Sequence, residues 1–373
     1  MDLKRFPFRR HIAPLAASAL TLVVLFPHSV SAACGSWSES PVAHLDTRFT
    51  EVLDVSASWS SNAWAVGEFH DRQGNEQALA LRWDGDRWQS VIVPHPGRWG
   101  DQLWGVETLA ADDAWSVGWL GNNFGTAQII YHWDGVSWTQ TAAPEPGPQD
   151  RLYGISASSS SNVWAVGFVY DGHGYQGLTE HYDGASWHVF SSPARVEKEH
   201  ELYDVVTVNG ATAWAVGDTS TRQGTKPLIE RWDADSWQVA ETPHVGTDFS
   251  FLTAVDASGP NDAWAAGAAN NGHETLLEHW NGGEWTLVNL PRKVPEGSIE
   301  DISSLSRDRA WAIEQTNGQD ALVLKWNGRR WRIAAKLGAA PFFVRSLDAI
   351  PSGHLWAAGT RGSQPAIKEF CPS

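Results

Sequence analysis

From about residue 49 onward the chain is written in short apolar stretches cut by small polar clusters. Ala63-Trp64-Ala65-Val66-Gly67 and Ala78-Leu79-Ala80-Leu81 are two such stretches, while Ser60-Ser61-Asn62 and Asp84-Gly85 are two of the cuts. Alternating and β-rich runs of this length between turn residues predict strands. A stripe recurring every 3.6 residues, which a helical repeat would need, is missing.

The strands recur as a unit. Trp64, Trp115, Trp164, Trp214, Trp264, Trp311 and Trp356 each sit in a variant of Asp/Asn-Ala-Trp-Ala-Val-Gly, at spacings of 45 to 51 residues. Nine residues before each stands an aliphatic: Val55, Val106, Ile155, Val205, Val255, Ile302 and Leu347. An aromatic, a turn and a second tryptophan follow, as in Trp83-Asp84-Gly85…Trp88. Each copy therefore reads as strands a, b, c and d. Four strands per repeat of this length predict an all-β, seven-bladed β-propeller of four-stranded antiparallel blades. The blades run over about 49–97, 98–147, 148–197, 198–246, 247–294, 295–340, and 341–371 with 34–42. Blade 6 departs from the pattern, with Glu314 for the strand-b glycine and Leu337 for a proline after strand d.

The seventh copy ends without a strand d, and Gly35-Ser36-Trp37-Ser38-Glu39 resembles one. The N-terminal strand is thus expected to complete the last blade and leave no open edge. In that register Phe370 takes the aromatic position, and Cys371 and Cys34 fall on neighbouring positions of one c–d turn whose covalent link is missing. These are the only two cysteines, and a Cys34–Cys371 disulfide is expected in place of the turn.

Residues 1–32 stand apart. Lys4, Arg5, Arg9 and Arg10 precede the apolar run Ile12 to Phe26, and Val30-Ser31-Ala32 supplies small residues. That is the anatomy of a secretory signal peptide, cleaved after Ala32 or Ala33. The run is shorter than the roughly 20 residues a spanning helix needs. Residues 33–373 are then expected as the secreted protein, extracellular or periplasmic, a monomer without membrane insertion. A net charge of -16 argues against a nucleic-acid partner.

The glycine ending strand b, followed by an aromatic, a turn and a tryptophan, resembles bacterial secreted propellers with kelch-like repeats. One glycine stands where kelch repeats carry a pair, and the c–d turn is shorter. Asp-Gly-x-x-Trp is similar to the Asp-box of sialidases, but that motif has Ser or Thr before its Asp and one more residue before its Trp. Seven-bladed lectins of insect-pathogenic bacteria resemble the chain in blade number and tryptophan content. None of these likenesses carries a functional residue to a numbered position here, and fold alone does not give function.

Nineteen of the 23 tryptophans fill repeat positions and are expected to pack between blades; only Trp59, Trp99, Trp104 and Trp119 fall outside. Trp104, Tyr153 and Tyr203 share one strand-a position in blades 2, 3 and 4, where the others have Leu53, Thr253, Glu300 and Arg345. Three adjacent aromatics at the channel mouth, extended by Trp99 and Trp119, are the expected ligand-binding patch, for a sugar ring or a protein surface. Plugging the channel is the alternative role for them. Glu51, Asp54, Glu201, Asp204, Glu300 and Asp301 recur at the start of strand a and are expected to hold backbone amides of turns. A polysaccharide hydrolase or lyase would instead use such carboxylates in facing pairs. His70, His173 and His273 lie in corresponding b–c loops of blades 1, 3 and 5, too far apart for one metal, and no His-x-x-x-His or Cys-x-x-Cys pair exists. No metal and no cofactor is expected. No Gly-x-Ser-x-Gly element or phosphate-binding loop appears. The expectation is a secreted, non-catalytic binding module for carbohydrate or a protein surface.

Overall fold

The computed structural model describes residues 34–372 except 97–98, 123–124, 194–198, 222–223, 244–248, 319 and 339–341. The expected signal peptide and its cleavage site lie outside the described residues, as do Gly97, Arg98, Asn123, Phe124, Glu197 and Lys198 of the variable loops.

Seven four-stranded antiparallel sheets form the fold. In blade 1 the strands are a (Phe49–Trp59), b (Asn62–His70), c (Glu76–Trp83) and d (Trp88–Ser90). Blade 7 takes a, b and c from Phe342–Ala349, Leu355–Arg361 and Gln364–Phe370, and d from Trp37–Glu39 at the other end of the chain. Trp37 pairs with Phe370, the register that joins Trp88 to Trp83 and Trp187 to Tyr182. The Cys34–Cys371 disulfide stands where the other blades have their c–d turn, with Cα atoms 4.7 Å apart. Gly35 N–H donates to the Cys371 carbonyl beside it (2.7 Å). The N-terminal segment then continues onto blade 1, where Val42 makes a parallel bridge to Trp88 and the Trp88 indole donates to Ser40 Oγ (3.1 Å).

The framework tryptophans join blades. Trp64 of blade 1 meets Trp133 and Trp138 of blade 2 edge to face, both at 4.8 Å between ring centroids. Trp214 with Trp280 and Trp285, and Trp264 with Trp326 and Trp331, repeat the arrangement. Each buried indole contributes roughly 4–6 kcal/mol of gross transfer free energy. The strand-c indoles also pin the a–b turns: Trp83 donates to the Ser60 carbonyl and Trp133 to that of Ala111.

Around the channel a second device joins the blades, and here the expectation about acidic residues needs correction. The amides they hold belong to strands, not turns. Asp54 accepts from Val55 N–H of its own strand and Val106 N–H of blade 2 (2.8 and 2.7 Å). Asp204 does the same for Val205 and Val255, and Asp301 for Ile302 and Leu347. A second tier uses Asp256 on Ser304 and Asp348 on Ala57, each at 2.6 Å. Inner strands of adjacent blades do not pair with one another, so their facing amides need acceptors, and a short carboxylate spans the gap.

One buried acid has no such duty. Glu278, in strand c of blade 5, is fully buried, and neither carboxylate oxygen has a hydrogen-bond partner among the described residues. Burial pushes its pKa up to about 8. Leu81 and Leu324 fill the same place in blades 1 and 6. Glu278→Leu is therefore expected to raise stability by on the order of 2 kcal/mol at pH 8 or above, read by thermal melting. A variant that melts lower would mean that the carboxylate is used.

Candidate functional site

The pairing of strands a and b slips by one residue at the same point in every blade. The residue left unpaired at these bulges is Leu53, Trp104, Tyr153, Tyr203, Thr253, Glu300 or Arg345. A bulge re-aims its side chain, and here seven of them line one mouth of the channel. The strand-b glycine belongs to the same device. A Cβ on Gly67 would sit 2.0 Å from the Glu51 carbonyl oxygen, so in blade 1 the backbones approach too closely there for a side chain. Blade 6 bulges all the same, with Glu314 there, fully buried and receiving the Thr275 hydroxyl (3.0 Å).

The mouth holds a cavity of about 540 Å³. Trp104, Tyr153 and Tyr203 are among the residues that line it. Their ring centroids are 5.0 Å (Trp104–Tyr153) and 5.9 Å (Tyr153–Tyr203) apart, at 66° and 50°. Behind Tyr153 the aromatic contacts continue to Phe168, a strand-b position that sequence reasoning passed over, and from Phe168 to Tyr175 at the start of strand c. The polar ends of all three rings have partners: the Trp104 indole donates to Gln102 Oε1 (2.8 Å), the Tyr203 hydroxyl donates to Asp218 Oδ2 (2.7 Å), and the Tyr153 hydroxyl is hydrogen-bonded to Arg151.

The remaining polar lining is acidic. Asp54, Glu201, Asp204, Asp218, Glu300 and Asp301 face the cavity, with Arg345 as the one cation among the described residues that line it. Arg345 donates to Glu51 (3.1 Å) and lies 3.8 Å from Glu300. Glu201 stands directly across the strand pair from Asp218. Burial and the charge of Asp218 push Glu201 up to about 7, and burial raises Asp218 against the Tyr203 hydrogen bond. Burial also raises Glu300, opposed by Arg345.

Trp119 and Trp99 do not join this lining. The Trp119 ring lies under the Arg151 guanidinium at 4.4 Å, and Trp99 is 67% exposed. The three loop histidines stay apart, but His70 has neighbours that its loop position did not reveal. Its Nε2 lies 4.0 Å from both Glu68 and Glu76, and the ligand atoms of the three lie within 4.8 Å of one another, a set that could hold a divalent cation. The cross-strand pairing of His70 with Phe49 and Glu76 places this group at the end of strand b in blade 1, where Gln102 links Glu68 to the Trp104 indole of the aromatic wall.

No protein-family model matches the chain, and no curated protein matches it. Solved structures do. YCF48 bound to a D1 peptide is similar over 90% of this chain and 100% of that one, at 16% identity and a TM-score of 0.58. YCF48 from Cyanidioschyzon merolae is similar over 91% and 99%, at 14% identity and a TM-score of 0.59. The six-bladed, fucose-recognising lectin of Aleuria aurantia covers 80% of this chain and 100% of its own, at 14% identity and a TM-score of 0.50. At such identities the likeness is one of fold. The chain is a seven-bladed β-propeller whose N-terminal strand closes its last blade.

Proposed function

We propose that this protein is a secreted, non-catalytic binding module, and that its ligand, a carbohydrate or a protein surface, enters the bulge-lined mouth. The observation that carries the reading is the wall of Trp104, Tyr153 and Tyr203 along an open cavity of about 540 Å³. Half-buried aromatics supply apolar contact area at low entropic cost, which suits a sugar face or a side chain alike. Two propellers of similar fold have ligands of these two kinds, a peptide and fucose. The disulfide fits an oxidising compartment, and no helix among the described residues is long and apolar enough to cross a membrane.

Glu201 and Asp218 favour a second reading, a polysaccharide hydrolase or lyase, because two raised carboxyls beside Tyr203 are what an acid–base pair requires. The same elevation occurs at Asp204, Asp256 and Asp348, whose task is holding blades together, so in this channel it accompanies burial rather than chemistry. The test uses immobilised glycans and a peptide panel, probed with wild type and Trp104→Ala. Ligands retained by the wild type should bind at least tenfold more weakly to the variant. Binding indifferent to Trp104 would overturn the site, and release of reducing sugar from polysaccharide would overturn the non-catalytic reading.

A further inference from the structure

We infer that the mouth takes a guanidinium, carried on an arginine side chain of a protein partner, between the Tyr153–Tyr203 wall and the opposed carboxylates Glu201 and Asp218. This rests on the mouth being the binding site. The molecule already holds one arginine in the mouth against acids and another outside it against a ring. Arg345 lies between Glu51 and Glu300, and Arg151 stacks over Trp119. Blade 4 repeats the surroundings, with aromatic rings from Tyr153 and Tyr203 and acids from Glu201 and Asp218. Neither acid has an ion pair at contact distance among the described residues. Arg151, which stacks on Trp119 and bonds the Thr126 hydroxyl (3.4 Å), also hydrogen-bonds Tyr153 and lowers the Glu201 pKa by its charge. Among the described residues Glu201 is thus partly compensated, while Asp218 has only the Tyr203 hydroxyl.

Like charges directly opposite each other across a strand pair destabilise the sheet. A cation that bridges them removes that repulsion, and a neutral ligand does not. Burial makes the carboxylates hold their protons more tightly, and a bound guanidinium would release them. The donors of Trp104 and Tyr203 are used inside the protein, so what the site offers is acceptors and ring faces. Their complement is a planar group rich in donors that stacks on aromatic rings. Acids recur along the channel, since Asp54, Asp204 and Asp301 line both the mouth and the cavity below it. A cation on a long narrow stem can follow such a path. A pyranose ring bearing an amine is broader and carries hydroxyls that need donors in return.

The test is calorimetric titration of the full chain with acetyl-Gly-Arg-Gly-amide, its citrulline twin of equal shape without charge, and glucosamine. The arginyl peptide should bind at least tenfold more tightly than the citrulline peptide. Glu201→Gln and Asp218→Asn, each with an unchanged near-ultraviolet circular dichroism spectrum, should each reduce that preference at least fivefold. Binding should also weaken as salt rises. Equal affinity for the two peptides overturns the inference, as does a preference that survives both variants. Glucosamine binding in place of the peptide would assign the site to an amino sugar and also overturn it. If glycans bind in a Trp104-dependent way while no arginyl peptide does, the binding site stands and only the guanidinium falls. If the arginyl peptide binds but Trp104→Ala leaves it untouched, the site itself has been misplaced.

Discussion

Lowering the pH from 8 to 5 should make this protein more stable, with a melting temperature higher by roughly 5 °C or more. The usual expectation for a protein with net charge -16 is weaker, a modest relief of self-repulsion. Here the channel carboxylates decide. Burial pushes Asp54 up to about 6 and Asp204, Asp256 and Asp348 up to about 7, while Glu107 and Asp301 are raised well above the carboxylate range by burial and by their acidic neighbours.

An unfolded Asp titrates near pH 4. Between about pH 4 and pH 8 the folded state therefore binds more protons than the unfolded one, and stability falls as pH rises through that window. Each of these carboxylates, partly buried in the channel wall, contributes on the order of 1 kcal/mol to the difference between pH 5 and pH 8. The geometry agrees independently. The Ser346 hydroxyl lies 2.7 Å from Asp54 and 2.8 Å from Asp301. A hydroxyl has one hydrogen, so both contacts are hydrogen bonds only when one of the two carboxyls carries a proton. Below about pH 4 the trend reverses, because the turn acids Asp84, Asp134, Asp171, Asp183 and Asp233, lowered chiefly by backbone amides, then lose their bonds. Melting curves at half-unit steps from pH 3.5 to 9 test this. A melting temperature that is flat or rises from pH 5 to 8 would show that the ring stays ionised in the folded state.

Removing the disulfide should have the largest effect of any single bond. Cys371→Ser is expected to lose about 5–6 kcal/mol, since the bond closes a loop with a sequence separation of 337 residues. That corresponds to a melting temperature lower by roughly 10 °C. The strand it holds is three residues long, Trp37–Glu39, and pairs with blade 7 over three positions. So short an edge frays when nothing covalent keeps its end in place. Lys368 and Arg361 reach Glu39 at 2.6 and 2.9 Å, but these pairs are half exposed and worth little alone. Reductant should reproduce the loss in the wild type and leave Cys371→Ser unchanged. Equal melting of wild type and variant would mean that the strand and its continuation onto blade 1 close the ring unaided.

Blade number, the displaced strand d and the disulfide were all legible in the chain before any coordinates. Each is periodic information. A tryptophan every 45 to 51 residues sets a register, and a gap in a register has a definite place where its missing part must go. Trp37 and the two cysteines were found by that arithmetic alone. Three aromatics at one repeat position, Trp104, Tyr153 and Tyr203, were legible for the same reason, and the structure places all three along one wall.

Other features depend on distances across the ring, which a repeat does not encode. Trp119 and Trp99 lie close in sequence to Trp104, yet one sits beneath Arg151 and the other in solvent. Glu201 and Asp218 become a like-charge pair only because a bulge puts strand a in that register against strand b. Asp54 holds blade 2, and Glu278 holds nothing. Local pattern sets which strands form and in what order, because side-chain alternation and turn chemistry act over a few residues. What a side chain meets is decided by closure of the ring, which brings together residues as far apart as Asp54 and Ser346.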